Sequence, residues 1–294
     1  GKLATEIRVV PNRIPEALVR PLPETRSGRL RIGWIGAPQH AGDLAKAVDY
    51  YSKAGSDAFR KYANQEAIRF LNKALTLSAE LDDAHVAPLT RVKWRRQLGE
   101  ATYRLTIMDE SRDHYETAVA ELGHPIPDST PRRGLNLAGQ LLKQVWHRWQ
   151  PDRFIGRAAS DVERDTLLEA SRLLDGVAEI YYNEGDFLSS FYCVMKAFNL
   201  AEEAGVSSEL VRGYANMCAT LGSVSLNKLA DGYRGRAVDM AAQIDDLATR
   251  AYIYIPLSTH SLWVGNWERA EAEVNEALTI YERLGDWRRW CVAA

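Results

Sequence analysis

The side chains that carry most enzyme chemistry are thinly spread along this chain. Its six histidines are His40, His85, His114, His124, His147 and His260, and no two stand at the i, i+4 spacing with which one helix offers two imidazoles to zinc. Cys193, Cys218 and Cys291 are the three cysteines. An odd count without close spacing argues against both a disulfide framework and a zinc site. Cys193 and Cys218 read as packed small hydrophobes, not nucleophiles. Ser189-Ser190 lacks a neighbouring histidine. Glu163, Asp165 and Glu169 lie close in sequence and read as a solvated helix face, not as an acid/base pair. Gly1-Lys2 is followed by Leu3, so no phosphate-cradling loop forms there, and no Gly-x-Gly-x-x-Gly occurs. Gly232-Tyr233-Arg234-Gly235-Arg236 is the nearest glycine cluster and reads as a turn or a helix start. The expectation is a chain with no catalytic, cofactor-binding or metal-binding residues of its own, hence not itself an enzyme.

The aromatic residues say more. Trp146 and Trp149 flank His147 and Arg148, with Arg153 beyond. A basic–aromatic cluster can stack nucleic-acid bases; more often it is a helix end packed on its neighbour. Trp287-Arg288-Arg289-Trp290 carries the same two readings.

Elements must position whatever acts. Of 294 residues, 46% are hydrophobic and 26% charged, enough to bury a continuous core. The formal net charge of −2 gives no general pull toward nucleic acid or an anionic bilayer, although local patches are compatible with it. No run of 18 apolar residues marks a bilayer span, and Gly1 to Asn12 has no signal-peptide core. These readings predict a cytoplasmic location and no direct nucleic-acid or membrane partner. The missing initial methionine, and an end at Val292-Ala293-Ala294 inside a helical pattern, suggest a piece of a longer polypeptide.

Residues 1–38 hold Pro11, Pro15, Pro21, Pro23 and Pro38 and read as a proline-rich linker or the remnant of a preceding domain. Residues 39–294 are helical in pattern, with apolar residues returning every three or four positions. Ile68, Leu71 and Leu75 form one stripe. Breaks fall at His124-Pro125-Ile126-Pro127, near Gln150-Pro151-Asp152, and at Gly185, Gly205, Gly265 and Gly285.

A unit recurs in that pattern: a small residue, a larger one four positions on, and a small one three further. It occurs as Ala47-Tyr51-Ala54, Ala67-Leu71-Ala74, Ser111-Tyr115-Ala118, Ser190-Val194-Ala197 and Ala270-Val274-Ala277, more weakly as Ala237-Ala241-Ile244. Small residues on one helix face let a second helix approach, and the larger residue fills the gap between them. Gly42-Asp43, Gly185-Asp186 and Gly265-Asn266 read as pairs that end one helix and cap the next. Hairpins so built stack on one another. The first positions are separated by 20, 44, 79, 47 and 33 residues. Only the last is near the roughly 34-residue step of a tetratricopeptide (TPR) array. The long interval predicts an insertion at about 124–165 or a degenerate unit.

These features resemble the TPR regions that follow the ATPase module of large predicted ATPase/adenylate-cyclase proteins, and related regions of LuxR-type transcription activators. The resemblance covers about residues 40–294. It rests on Gly42 to Tyr51 with Tyr62 to Ile68, on Arg95 to Ala101, Leu122-Gly123-His124-Pro125, Ala178 to Tyr182 and Tyr214 to Cys218, and on Trp267 to Glu271 with Arg283 to Trp290. It implies an all-α, TPR-like right-handed superhelix of antiparallel helix hairpins. The implied role is a protein–protein interaction and regulatory scaffold, the TPR arm of a multidomain signalling protein, or else the ligand-sensing TPR region of a transcription activator. Partners would be a protein, a peptide, or neighbouring domains of the same polypeptide. The first helix of each hairpin would line the binding groove. The hairpin phase places Lys93, Arg96, Glu100, Tyr103 and Arg104 there, then Arg172, Asp175, Glu179, Tyr182 and Asn183, then Tyr252, Thr259 and Trp263. Arg96, Tyr103, Arg172, Tyr182 and Trp263 are the expected contact residues, by the Arg, Tyr and Trp bias of binding hot spots. Glu100 and Glu179 stand where carboxylate-clamp TPR domains carry asparagine, which argues against a clamp.

Overall fold

The computed structural model describes residues 41–294, so the expectations for residues 1–38 and for His40 lie outside it. Five antiparallel hairpins follow one another: α1 (Ala41–Arg60) with α2 (Asn64–Ser78), α3 (Pro88–Arg104) with α4 (Met108–Glu121), α7 (Asp161–Asn183) with α8 (Phe187–Ala204), α9 (Ser208–Ser223) with α10 (Asn227–Ala241), and α11 (Leu247–Trp263) with α12 (Trp267–Leu284). Between the second and third hairpins lie α5 (Thr130–Trp149) and the short α6 (Pro151–Phe154), and α13 (Trp287–Ala293) follows the last. No strand occurs among the described residues.

Each hairpin turns on one left-handed residue: Tyr62, Thr106, Gly185, Ser225 and Gly265, with φ of 58°, 62°, 82°, 61° and 76°. That residue lets an amide reach back across the turn to the fifth carbonyl before it, as in Asp186 N to Tyr181 O and Asn266 N to Ser261 O, both 2.9 Å. The polar residue after the glycine then caps the next helix. Asp186 accepts from the Ser189 amide and Asn266 from the Arg269 amide. Gly42-Asp43 does neither, because both residues lie within α1.

The recurring unit marks second helices. Ala67, Leu71 and Ala74 on α2, Ser111, Tyr115 and Ala118 on α4, and Ala270 and Ala277 on α12 are buried. Two assignments are corrected. Ala47, Tyr51 and Ala54 belong to a first helix, α1, whose buried positions are Leu44, Val48 and Gly55. On α10 the buried phase is Ala230, Arg234, Ala237, seven residues earlier than expected. The sequence Gly232 to Arg236 is therefore helix interior, with Arg234 standing in the large-residue position and 5% exposed. It reaches the Leu257 carbonyl at 2.6 Å, the Ser261 hydroxyl at 2.8 Å and the Glu273 carboxylate. With α10 in this register, the last three units step from 190 to 230 to 270, a repeat of 40 residues.

At several helix crossings a glycine faces a large side chain with no room for a Cβ. Tyr115 of α4 lies between Gly99 of α3 and Gly176 of α7; a Cβ on Gly176 would stand 2.6 Å from its ring, and one on Gly99 2.9 Å. This contact joins the second hairpin directly to the third, and α5 is displaced outward onto α8. Overpacking of such a site costs about 1–3 kcal/mol, whereas alanine for glycine in an open helix gains about 0.5–1 kcal/mol. Gly176→Ala is expected to lower stability and Gly235→Ala, with nothing within 4 Å of its Cβ position, to raise it; urea unfolding of the two variants measures both signs.

Candidate partner-binding groove

The first helices α1, α3, α7, α9 and α11 lie side by side and form one face of the array. Polar contacts cross that face from helix to helix. Ser56 on α1 donates to Gln97 on α3 at 3.1 Å. Arg96 on α3 reaches Glu169 on α7 at 2.5 Å, and Arg172 pairs with Glu169 at 3.1 Å and with Glu209 on α9 at 2.7 Å. Arg212 on α9 donates to the Thr249 hydroxyl on α11 at 3.1 Å, and its guanidinium lies 5.1 Å from the centre of the Tyr252 ring. Tyr252 donates to Asn216 at 3.2 Å. Glu169 is fully buried between its two arginines, so it is not the solvated residue expected from its neighbours in sequence. A carboxylate at that depth requires paired cations.

The five expected contact residues fall into three places. Arg96 and Arg172 meet through Glu169. Tyr103 donates to Glu179 at 2.8 Å and accepts from Asn183 at 2.9 Å, which ties α3 to the last turn of α7. Tyr182, in the same turn, is 62% exposed and meets Phe187 edge to face with ring centres 5.6 Å apart. Trp263 stands apart at the end of α11, half exposed, beside Gly222 of α9. Arg212 and Asn216 line the same face and were missed. Their hairpin carries an arginine where the repeat has a large apolar residue, which hid its register.

Asp175 stands at the centre of this face. Its side chain is open to solvent along the groove, yet protein surrounds it on the other sides, and no hydrogen bond or ion pair engages it among the described residues. That enclosure pushes its pKa up to about 7; the charge of Arg212 opposes the shift and that of Glu209 adds to it.

The basic–aromatic cluster on α5 divides by face. His147 and Arg148 turn inward to Glu202 of α8, a carboxylate with no exposed surface; His147 Nδ1 lies 2.6 Å from it and Gln144 donates to it at 2.7 Å. Burial, then the charges of Lys143 and Arg148, hold the His147 pKa down at about 4. The neutral ring is therefore the donor to Glu202, and it stacks on Phe154 with centres 5.2 Å apart. Trp146 and Trp149 turn outward, 51% and 72% exposed. Packing against a neighbour describes His147 and Arg148 but not the two tryptophans. In the second cluster, Trp290 packs against the core formed by Ala251, Ala277, Ile280 and Tyr281, and the side chains of Trp287 and Arg288 lie outside the described residues.

No protein-family description matches the chain, and no curated protein does. Solved structures do. The crystal structure of BtubC (BKLC) from P. vanneervenii aligns with a TM-score of 0.52 at 16% identity, covering 82% of each chain. The kinesin light chain nearly identical TPR-like repeats of Podosopora anserina align with a TM-score of 0.46 at 12% identity, covering 84% of this chain and 99% of that one. The fold is a TPR-like right-handed superhelix of helix hairpins.

The Asp175 shift sets a direction for stability. A carboxyl whose folded pKa of about 7 exceeds the ordinary 3.8 is bound by more protons in the folded state between those values, so stability falls as pH rises through that window. Asp175→Asn removes this dependence. The variant is expected to unfold at a higher temperature than the parent above pH 7, with the difference vanishing toward pH 4, as thermal melts across pH will show.

Proposed function

We propose that the array is a protein-interaction scaffold whose first helices hold a segment of a partner protein. The observation that supports this most directly is the continuous face of α3, α7, α9 and α11. Its charged groups are mostly braced against one another, while Tyr182, Asp175 and Trp263 remain available to a ligand. A braced face is a preorganised one, and rigid aromatic anchors on such a face carry most of the affinity of protein interfaces. Arg96, Tyr103 and Arg172 act first as ties between helices and only then as contacts. Asp175 suits a cationic group on the partner, because a cation there restores its charge at neutral pH.

The parent role rests on the sequence resemblance alone. It favours the regulatory arm of a multidomain ATPase/adenylate-cyclase-type signalling protein in the cytoplasm. Among the described residues no helix is long and apolar enough to cross a membrane, and no group of three His, Cys, Asp or Glu side chains is placed to hold a metal.

Truncating an anchor at a true hot spot costs roughly 2 kcal/mol of affinity or more. A partner recovered with the purified chain from its source lysate and identified by mass spectrometry is expected to bind the Tyr182→Ala variant at least about thirtyfold more weakly, with the melting temperature unchanged because Tyr182 is exposed. A partner that binds the triple variant Arg172→Ala, Tyr182→Ala, Trp263→Ala as tightly as the parent excludes this face.

A further inference from the structure

α5 is turned inside out. Toward α8 it presents Arg133, Gln140, Gln144, His147 and Arg148, with Leu137 as the one large apolar residue among them. Arg133 pairs with Asp186, Lys143 with Glu203, Gln144 bonds to Asn199 and Glu202, and Gln140 accepts from Asn199. Toward solvent it presents Leu135, Ala138, Leu142, Val145, Trp146 and Trp149, all exposed. Leu135 and Trp149 are the extremes at 75% and 72%. Helical geometry spreads the outward apolar positions, from Leu141 round to Gly139, over an arc of about 160° and along about 21 Å. Ordinary amphipathic helices bury such a stripe. An exposed patch of this kind marks an interaction site.

Shape and charge narrow the occupant. The stripe is a ridge, because α5 lies on the outside of α8 and one half of its circumference is free. A ridge about 10 Å wide and about 21 Å long falls well short of the ~800 Å² per partner of a standard interface. Antiparallel self-pairing would also bring the Arg132 and Lys143 edges of two copies together. Between Thr130 and Trp149 the chain carries four Lys/Arg and no Asp/Glu. Beyond the three cations spent on α8, the exposed Arg132, Arg153 and Arg157 have no carboxylate partner among the described residues. Paired tryptophans on an apolar face, with arginines at both ends, suit the boundary between headgroups and acyl chains.

We propose that the outward face of α5 is a docking surface for an anionic lipid bilayer, with Leu142, Trp146 and Trp149 entering the headgroup boundary and Arg132, Arg153 and Arg157 meeting lipid phosphates and carboxylates. This departs from the expectation of no membrane partner, which weighed only net charge and spanning segments. The site is independent of the groove.

The test is co-sedimentation of the whole chain with vesicles of phosphatidylcholine mixed with phosphatidylserine, against vesicles of phosphatidylcholine alone. Binding to the mixed vesicles that exceeds binding to the neutral ones, falls with added salt, and drops at least about tenfold in Leu142→Glu supports the proposal. Residue 142 is 62% exposed, so circular dichroism should show the variant folded. A second variant, Arg132→Glu with Arg157→Glu, should weaken binding to mixed vesicles only. No binding to either vesicle, or binding that Leu142→Glu leaves intact, overturns it. So does a concentration-dependent dimer that Leu142→Glu abolishes in the absence of vesicle binding, which assigns the face to a second copy, or a protein partner lost with Leu142→Glu in the same circumstance.

Discussion

The wedge of Tyr115 between two glycines governs the rest of this array. A tandem of hairpins is held only by contacts between neighbours, and here the chain interrupts itself with α5 and α6 between the second and third. Continuity survives because Gly99 and Gly176 carry no Cβ where the Tyr115 ring must lie. With α7 drawn in to that distance, Glu169 falls between Arg96 and Arg172, and Glu179 within reach of Tyr103. The polar ladder of the groove thus depends on this close approach, since Gly99 shares a helix face with Arg96 and Tyr103 and Gly176 shares one with Glu169 and Arg172. A single added methyl at position 176 would move both.

The opposite arrangement holds α5. Its attachment is a polar seam centred on Glu202, and burial of that carboxylate is offset by Arg148, His147 and Gln144 together. Removal of any one leaves a buried charge short of partners, which is costly in a way that loss of an exposed pair is not. A polar seam also has a directional requirement that apolar packing lacks: donors and acceptors must match in position. It fixes the rotation of α5 about its axis, and with it the direction in which the tryptophans point.

Helices were legible in the sequence because the three-and-four periodicity needs no partner to be visible, and most breaks were marked by glycine or proline. The register of the repeats was less legible. Alanine satisfies the small positions of the unit on almost any helix face, so Ala47 and Ala237 imitated it in the wrong phase. Arg234 concealed the true unit because a charge in the large-residue position is acceptable only with Glu273, Ser261 and the Leu257 carbonyl around it, and those come from another hairpin. In the groove, the hairpin phase correctly placed Arg96 and Tyr103 on α3 and Arg172 and Glu179 on α7. That Glu169 is buried was not legible, since its depth comes from two arginines on different helices. The inversion of α5 was also hidden: amphipathic spacing tells which residues share a face, not which face the protein covers.

α5 touches more than one hairpin. Gln144 accepts a hydrogen bond from Tyr233 of α10 at 3.3 Å while it donates to α8, and Arg148 lies over both Tyr214 of α9 and Tyr233 of α10. It is therefore a splint laid across the joint between the third and fourth hairpins. A stack of hairpins behaves as a spring, lengthening or tightening by small changes of angle at every joint, and this one joint is stiffened. At this joint tension is resisted by a fifth helix laid across α8, α9 and α10 as well as by the packing of the hairpins themselves, which favours a fixed curvature in the middle of the groove, around Asp175 and Arg212.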